Sequence, residues 1–484
     1  MMTFQSPPFK MKKLPCFMAG LGLAGLAATA SAADWIIAPA ITVEQVYTDN
    51  AQLSPGNKES ESITRLRPSL SLYREGGRAS LDFNYAPEYR HYWQETEDNE
   101  VIHFLRANGK LELAEDHFFL DGWASADLTN ITSRARTGID GLTGRTDTTE
   151  IYTAGVSPYF TAHMGNFSTF EARYTADAAN YSQAGVDDSK GQRLELVLGS
   201  GTYFSSQVWE LSAMQSVVDY DNLDEDNEAK LVRAEYIQQL TRTWALAFAA
   251  GYEDYKLAIN EDIDGSLWSV GIVFTPNLRT RLALGGGERA FGNDYYLDFL
   301  HRSQRTIWTA SYHRDYTSAR DELIRPSLFQ RQDAFGNLVR DPILESPPDG
   351  NRGGAPALSA EYYELERFET GFTLASGRTT LHLTAGRTDR TYENSVEDTR
   401  DLDASARVSR DLTQRIGVFF GLSWRDHEED LLNYGQRLVN LGGDYRIGNV
   451  SSLGLRLDHL KRNADTDADS YEENRCSLSF ATTF

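Results

Sequence analysis

Nine histidines stand singly along the chain: His91, His103, His117, His163, His301, His313, His382, His427 and His459. Only His427 runs straight into acids, at Glu428, Glu429 and Asp430. That quartet would be either the base of a surface hydrolase or a solvated acidic loop, and the loop is the expectation. A hydrolase needs nucleophile, base and orienting group in one place. The sequence has no Gly-x-Ser-x-Gly elbow and no His-Glu-x-x-His pair. Asp465, Asp467 and Asp469 have the spacing that opens a calcium loop. Ser470 then stands where such a loop needs Gly, and Cys476 where it needs Glu, so the pattern fails. A solvated loop with at most weak Ca2+ or Mg2+ contact is expected. Gly285-Gly286-Gly287 opens no helix that would cradle a phosphate and is read as relief of crowding or a bend. No catalytic residue, metal site or cofactor is expected.

The remaining charges have a different use. Arg281, Arg407, Arg415, Arg425, Arg446 and Arg456 fall on the polar faces of alternating segments, as do Glu195, Asp403, Asp444 and Asp458. Around a lumen they would make a mixed-charge wall. Such a wall either conducts polar solutes or only stiffens the structure, and both readings stand. The longest connector, Ser318 to Ala360, mixes Arg, Asp, Pro and Gly with Leu323, Ile324, Leu328, Phe329 and Phe335. Connectors of this length are functional or disordered. It is expected to fold inward, with Arg320, Arg325 and Arg331 pairing with wall carboxylates and narrowing the lumen; a surface lid is the alternative.

The elements that carry these residues read as strands. Ile416, Val418, Phe420, Leu422 and Trp424 share one face, with Gly417, Gly421, Ser423 and Arg425 on the other. Trp244 to Tyr252 and Leu453 to Leu457 repeat the period of 2. One dry and one wet face per strand follow from it. Tight connections, such as Glu75-Gly76-Gly77, Ser376-Gly377 and Ile447-Gly448-Asn449, alternate with longer acidic ones, such as Asp219–Glu228 and Asp465–Glu473. Short turns on one side and long loops on the other mark an outer-membrane barrel. The expectation is an all-β, antiparallel transmembrane β-barrel of about 22 strands, within a range of 18 to 22. Both termini would lie on the short-turn side, in the periplasm.

Composition agrees. The chain has 47 Lys+Arg against 70 Asp+Glu, a formal charge of −23, with 11% aromatics. That charge excludes a general nucleic-acid binder, which needs a basic surface for phosphates. The aromatics exclude a disordered acidic chain. Lys12-Lys13, an apolar Leu14–Ala28 run and Ala30-Ser31-Ala32 form a secretory signal, expected to be cleaved after Ala32 or Ala33. Residues 1–33 are therefore signal peptide and 34–484 the barrel. The mature chain retains one cysteine, Cys476, which is expected to serve as a small apolar residue on the last strand. Strand-like sequence from Ile36 leaves no plug domain expected before the barrel.

Cys476, Leu478, Phe480, Thr482 and Phe484 take one face of the last strand. This ending resembles the carboxyl-terminal signal read by the barrel-assembly machinery, with Leu478, Phe480 and Phe484 as its core. Ile41-Thr42-Val43-Glu44-Gln45-Val46-Tyr47-Thr48-Asp49-Asn50 resembles the first-strand segment of outer-membrane proteins of the PEP-CTERM/exosortase system. Phe118-Phe119-Leu120-Asp121-Gly122-Trp123-Ala124-Ser125-Ala126 is similar to a second stretch of that family. The resemblance implies a β-barrel porin linked to exopolysaccharide in a Gram-negative outer membrane. Its implied partners are lipid and lipopolysaccharide, the assembly machinery, and exopolysaccharide or its export proteins. A non-conducting docking barrel is the second expectation, and a barrel-embedded hydrolase the third. Deleting Phe484 should lower the heat-modifiable, membrane-inserted fraction on gels; unchanged insertion would count against the assembly signal.

Overall fold

The computed structural model describes residues 35–144, 147–183, 185–324, 356–394 and 396–484. The expected signal peptide, 1–33, lies outside the described residues, as do Arg325 and Arg331.

Alternating sequence becomes strand throughout. The first eight strands are β1 (Ile36–Thr48), β2 (Glu61–Glu75), β3 (Ala79–Tyr92), β4 (Glu100–Ala114), β5 (Phe118–Asn130), β6 (Thr148–Met164), β7 (Ser168–Tyr181) and β8 (Ser189–Ser200). Then come β9 (Gln207–Tyr220), β10 (Asn227–Gln239), β11 (Trp244–Lys256), β12 (Ile263–Asn277), β13 (Thr280–Arg289), β14 (Gly292–Arg302) and β15 (Thr306–Ser318). A six-residue helix, α1 (Ala319–Ile324), follows. The rest are β16 (Tyr362–Ser376), β17 (Thr379–Tyr392), β18 (Thr399–Asp411), β19 (Ile416–Glu429), β20 (Tyr434–Ile447), β21 (Ser451–Ala464) and β22 (Tyr471–Thr483). Each strand pairs antiparallel with its neighbours in sequence, and β1 pairs with β22 from Ala40↔Thr483 to Thr48↔Arg475. The sheet is a closed barrel of 22 strands, and it leaves no edge.

The short turns lie at one end and most of the longer connections at the other, and the sharpest departure is between β13 and β14. β13 and β14 are joined on the long-loop side by Ala290-Phe291 alone. Phe291 does not meet water there. It stacks on Tyr316, with ring centroids 5.8 Å apart, and lies beneath the Arg289 guanidinium.

The outer face carries an apolar belt. Toward the short turns it is edged by aromatic pairs: Phe118 with Phe160 at 4.9 Å, Trp244 with Phe274 at 4.3 Å, and Trp308 with Phe372 at 4.7 Å. Toward the loops it is edged by exposed Tyr252, Trp268, Tyr295 and Trp424. From Trp244 to Tyr252 on a tilted strand is roughly 20 Å along the barrel axis, close to the apolar band of about 25 Å that a membrane barrel presents. Beyond the belt the outer face turns ionic, at Arg387, Arg400 and Glu428.

Inside, several bulky side chains lie flat across glycines of the next strand. A Cβ on Gly442 would stand 2.6 Å from the Phe419 ring, and one on Gly417 would stand 2.6 Å from Asp444. Gly285 and Gly271 make the same room for Tyr296, which is the relief of crowding expected of the triple glycine. The lumen keeps its width because these side chains run along the wall.

Phe420→Arg should therefore be far more disruptive than Ser423→Arg. Phe420 faces outward and Ser423 shares the lumen face with Phe419 and Arg425. An arginine near the lipid midplane costs roughly 2–4 kcal/mol, whereas a lumen position stays hydrated. Chemical denaturation in lipid vesicles measures both, and equal losses would overturn the facing of β19.

Candidate functional site: a charged lumen filled at its loop end

The lumen wall divides into two zones. Toward the short turns the charges are solvated. Glu195 pairs with Arg193 at 3.2 Å, Arg446 stands 4.0 Å from Asp444, and Arg407 lies over Phe419 at 4.2 Å. Arg281 lies on the lumen face of β13, and Arg425 stands opposite Asp403 in register. These are the wall positions expected from sequence, with one correction: Arg415 is not on a strand. It lies in the exposed turn between β18 and β19, one residue before β19 begins. Alternation read from Ile416 runs backward through the turn without a break, so the pattern alone did not mark the strand end.

Toward the loops the charges are buried. Glu88 receives Arg65 at 2.9 Å and Arg90 at 2.7 Å, and Arg67 as well. Arg65 also holds Glu44 at 2.6 Å. Asp458 bridges Arg456 at 2.6 Å and Arg475 at 3.2 Å. The Glu88 and Asp458 side chains are 1% and 0% exposed, against 49% for Asp444 in the lower zone. Buried ion pairs are costly to desolvate, yet removing one partner strands the other charge at about 3–5 kcal/mol. Such a network holds its geometry more firmly than it adds stability.

The buried charges hold an inward loop, described over residues 131–144, whose role the sequence pattern did not show. Its backbone carbonyls are the acceptors. Arg462 donates to the oxygens of Arg134 and Ala135, Arg475 to Ile139, Arg90 to Gly141 and the Tyr92 hydroxyl to Leu142. Asp140 at the loop tip pairs with Arg475 at 2.9 Å. Burial would raise the Asp140 carboxyl, but the Arg475 and Arg65 guanidiniums hold it below the usual range. Gly144, at φ +64°, sits against Leu53 where a side chain would collide. One signal was available: Thr137-Gly138-Ile139-Asp140-Gly141-Leu142-Thr143-Gly144 is glycine-rich and nearly uncharged, unlike the acidic loops beside it.

The second inward segment contains α1. Arg320 reaches Asp177 on β7 and donates to Ser189 on β8 at 2.7 Å, as expected of an arginine pairing with the wall. Glu322 turns the other way, to Arg367 at 3.0 Å and Arg390 at 3.2 Å. Burial alone would raise the Glu322 carboxyl; Arg390 and Arg367 hold it down to about 2. The two segments meet where the Leu358 amide donates to the Ile131 carbonyl at 2.9 Å. Beside them Tyr255, Phe291, Tyr316 and Tyr362 pack into an apolar core that draws the tops of β11 and β13 to β16 together.

His427 is not part of a solvated loop. It lies buried on the lumen face of β19, with Nδ1 3.0 Å from Asp401 and Nε2 3.3 Å from Glu429. The two ring nitrogens bridge the two carboxylates, so the ring is a cross-link within the wall. The acids after it diverge because alternate residues of a strand face opposite sides: Glu428 pairs with Arg400 outside, and Glu429 with Arg134 of the inward loop. Asp467–Asp469 form an exposed 3-10 turn, and Asp469 accepts from Thr466. Leu478, Phe480 and Phe484 all face outward and are exposed, which is the face an assembly signal would present.

The depressed Glu322 carboxyl fixes a pH dependence. Its contribution to stability is present above the ordinary carboxyl value of 4.5 and is lost as pH falls toward about 2. Thermal unfolding midpoints should fall across that window. Glu322→Gln should lower the neutral-pH midpoint and flatten the acid limb; a variant that keeps the full acid limb would overturn the latch.

No protein-family model and no curated protein matches this sequence. Among solved structures the chain is similar to the siderophore receptor PirA from Pseudomonas aeruginosa, at 10% identity and a TM-score of 0.50, covering 93% of this chain and 80% of that one. It is similar to the FrpB iron transporter from Neisseria meningitidis, at 8% identity and 0.52, covering 92% and 82%. It is also similar to the ferric-catecholate import receptor Fiu from E. coli K12, at 10% identity and 0.51, covering 92% and 81%. At such identities the likeness is one of fold: the chain is a closed barrel of the outer-membrane kind.

Proposed function

We propose that this protein is an outer-membrane conduit for polar solutes whose loop end is occluded at rest. The observation that carries this reading is the division of the lumen. A solvated, mixed-charge chamber on the short-turn side adjoins a filling of two loops held by ion pairs, hydrogen bonds and the apolar packing of Ile139 and Leu142, with no strand pairing to the wall. Loops held this way can swing aside without breaking a strand pairing. The solvated wall supports conduction, and the apolar belt supports residence in a Gram-negative outer membrane, with both termini and the short turns in the periplasm. Lipid and lipopolysaccharide would surround the belt, and the barrel-assembly machinery would insert it through Leu478, Phe480 and Phe484. Service to exopolysaccharide export in a PEP-CTERM/exosortase system is supported by the motif resemblance at Ile41–Asn50 and Phe118–Ala126. A second reading, a non-conducting docking barrel, is favoured by the density of buried ion pairs around Glu88 and Asp458.

Planar-bilayer recording separates the two. The parent should conduct weakly. Gly138→Val with Gly144→Val should raise conductance severalfold, because both glycines sit where a side chain collides with Thr143 or Leu53. Shortening the connector from Asp321 to Pro356 should raise it further by removing the Glu322 latch. If neither variant conducts better than the parent while both stay heat-modifiable, the docking barrel is the better reading.

A further inference from the structure

The solvated chamber contains a recess of about 390 Å3 on the wall formed by β18 to β22 and β1. Its volume falls within the roughly 300–1,000 Å3 typical of small-molecule pockets. The floor is made by absence: Gly454 faces the lumen with no side chain, and a Cβ there would stand 2.6 Å from the Ser479 hydroxyl. Ser477 and Ser479 continue that floor on β22. Over it stand two guanidiniums and two carboxylates. The Arg407 guanidinium carbon sits over Phe419, 4.2 Å from the ring centroid, and Phe419 rests in turn on Gly442. This contact holds the guanidinium against the wall. Arg456 is fixed from above by Asp458, and its Nη2 has no hydrogen-bond partner among the described residues. Glu44 and Asp444 close the two sides.

We propose that this recess binds a sugar acid, a polyhydroxylated ring bearing one carboxylate. A guanidinium held in place on the wall is a donor that carboxylates accept in bidentate fashion. Glu44 and Asp444 accept from ring hydroxyls, and Ser477 and Ser479 both donate and accept. A bare anion would meet two carboxylates beside the two guanidiniums, and a purely apolar solute would strip water from all four charges. A ring with both kinds of group satisfies the site. Phe419 offers no open face for stacking, since Gly442 lies on one side and Arg407 on the other, so recognition is polar. The recess also adjoins the filled loop end: the Asp458 that fixes Arg456 also holds Arg475, the donor to the Ile139 carbonyl of the inward loop. The inference rests on the conduit reading, for which it supplies a solute class.

Titration calorimetry on the full chain in detergent tests it, with trigalacturonate as the probe and maltotriose as the neutral control. Saturable binding of trigalacturonate is expected, weakened at least tenfold by Arg407→Gln and by Gly454→Leu, with maltotriose at least tenfold weaker than the acid. Arg407→Gln removes the charge without filling the floor, and heat-modifiability confirms that each variant is folded. Absence of saturable binding, equal affinity for maltotriose, or unchanged affinity in folded Arg407→Gln would overturn the site. Bilayer recording distinguishes the two failures. Current through the Gly138→Val, Gly144→Val variant with no effect of trigalacturonate keeps the conduit and sinks the site. Calorimetric binding without current supports the site and sinks the conduit.

Discussion

Backbone hydrogen bonding in lipid is the constraint on which everything else in this barrel depends. A membrane interior offers no water to strand amides and carbonyls, so a spanning sheet must close on itself. The β1–β22 pairing performs that closure, and the even number of strands lets it be antiparallel. Once the ring closes, the period of 2 has only two destinations. One residue in each pair meets lipid and supplies the belt of Trp244, Phe274, Trp308 and Phe372. The other meets the lumen, where Arg and Glu are tolerated because water or a counter-charge reaches them.

A ring of this size encloses more space than wall side chains fill. The lower lumen stays wide because Phe419, Tyr296 and Asp444 lie along the wall over glycines. The upper lumen is filled by chain that leaves the sheet and returns. Such chain brings backbone polar groups into a buried place, and each needs a partner. The carbonyls of Arg134, Ala135, Ile139, Gly141 and Leu142 find theirs in arginine and tyrosine side chains of β3, β21 and β22. Arginine suits this role because its several donors serve a carbonyl and a carboxylate together, as Arg475 does with Ile139, Asp140 and Asp458. The same cross-links make the filling specific in geometry and reversible in principle, since no strand pairing passes through it.

Much of the fold was legible in the sequence because strand facing is a local property. Residue i and residue i+2 share a face whatever the rest of the chain does. Strand number, the tight turns, the facing of Phe420 and Ser423, and the lumen positions of Arg281, Arg407, Arg425, Arg446, Arg456, Glu195, Asp444 and Asp458 all followed from that rule. It failed where the strand stopped without a change of pattern, at Arg415, and where a connection was cut to Ala290-Phe291.

What only the tertiary structure decided is which lumen charges are buried and what buries them. Arg90 and Arg446 look alike in sequence, each a basic residue on a polar face. One is fully buried beneath a loop that begins some forty residues later in the chain, and the other stands in open solvent. His427 was misplaced for the same reason: its partner Asp401 is brought to it by the neighbouring strand, and its other partner, Glu429 two residues on, is held by Arg134 of the inward loop. Alternation tells a side chain which face it occupies. The depth of that face below the loops, and the loop that covers it, depend on contacts between residues hundreds of positions apart, such as Arg475 with Ile139, and no local pattern encodes a contact of that range.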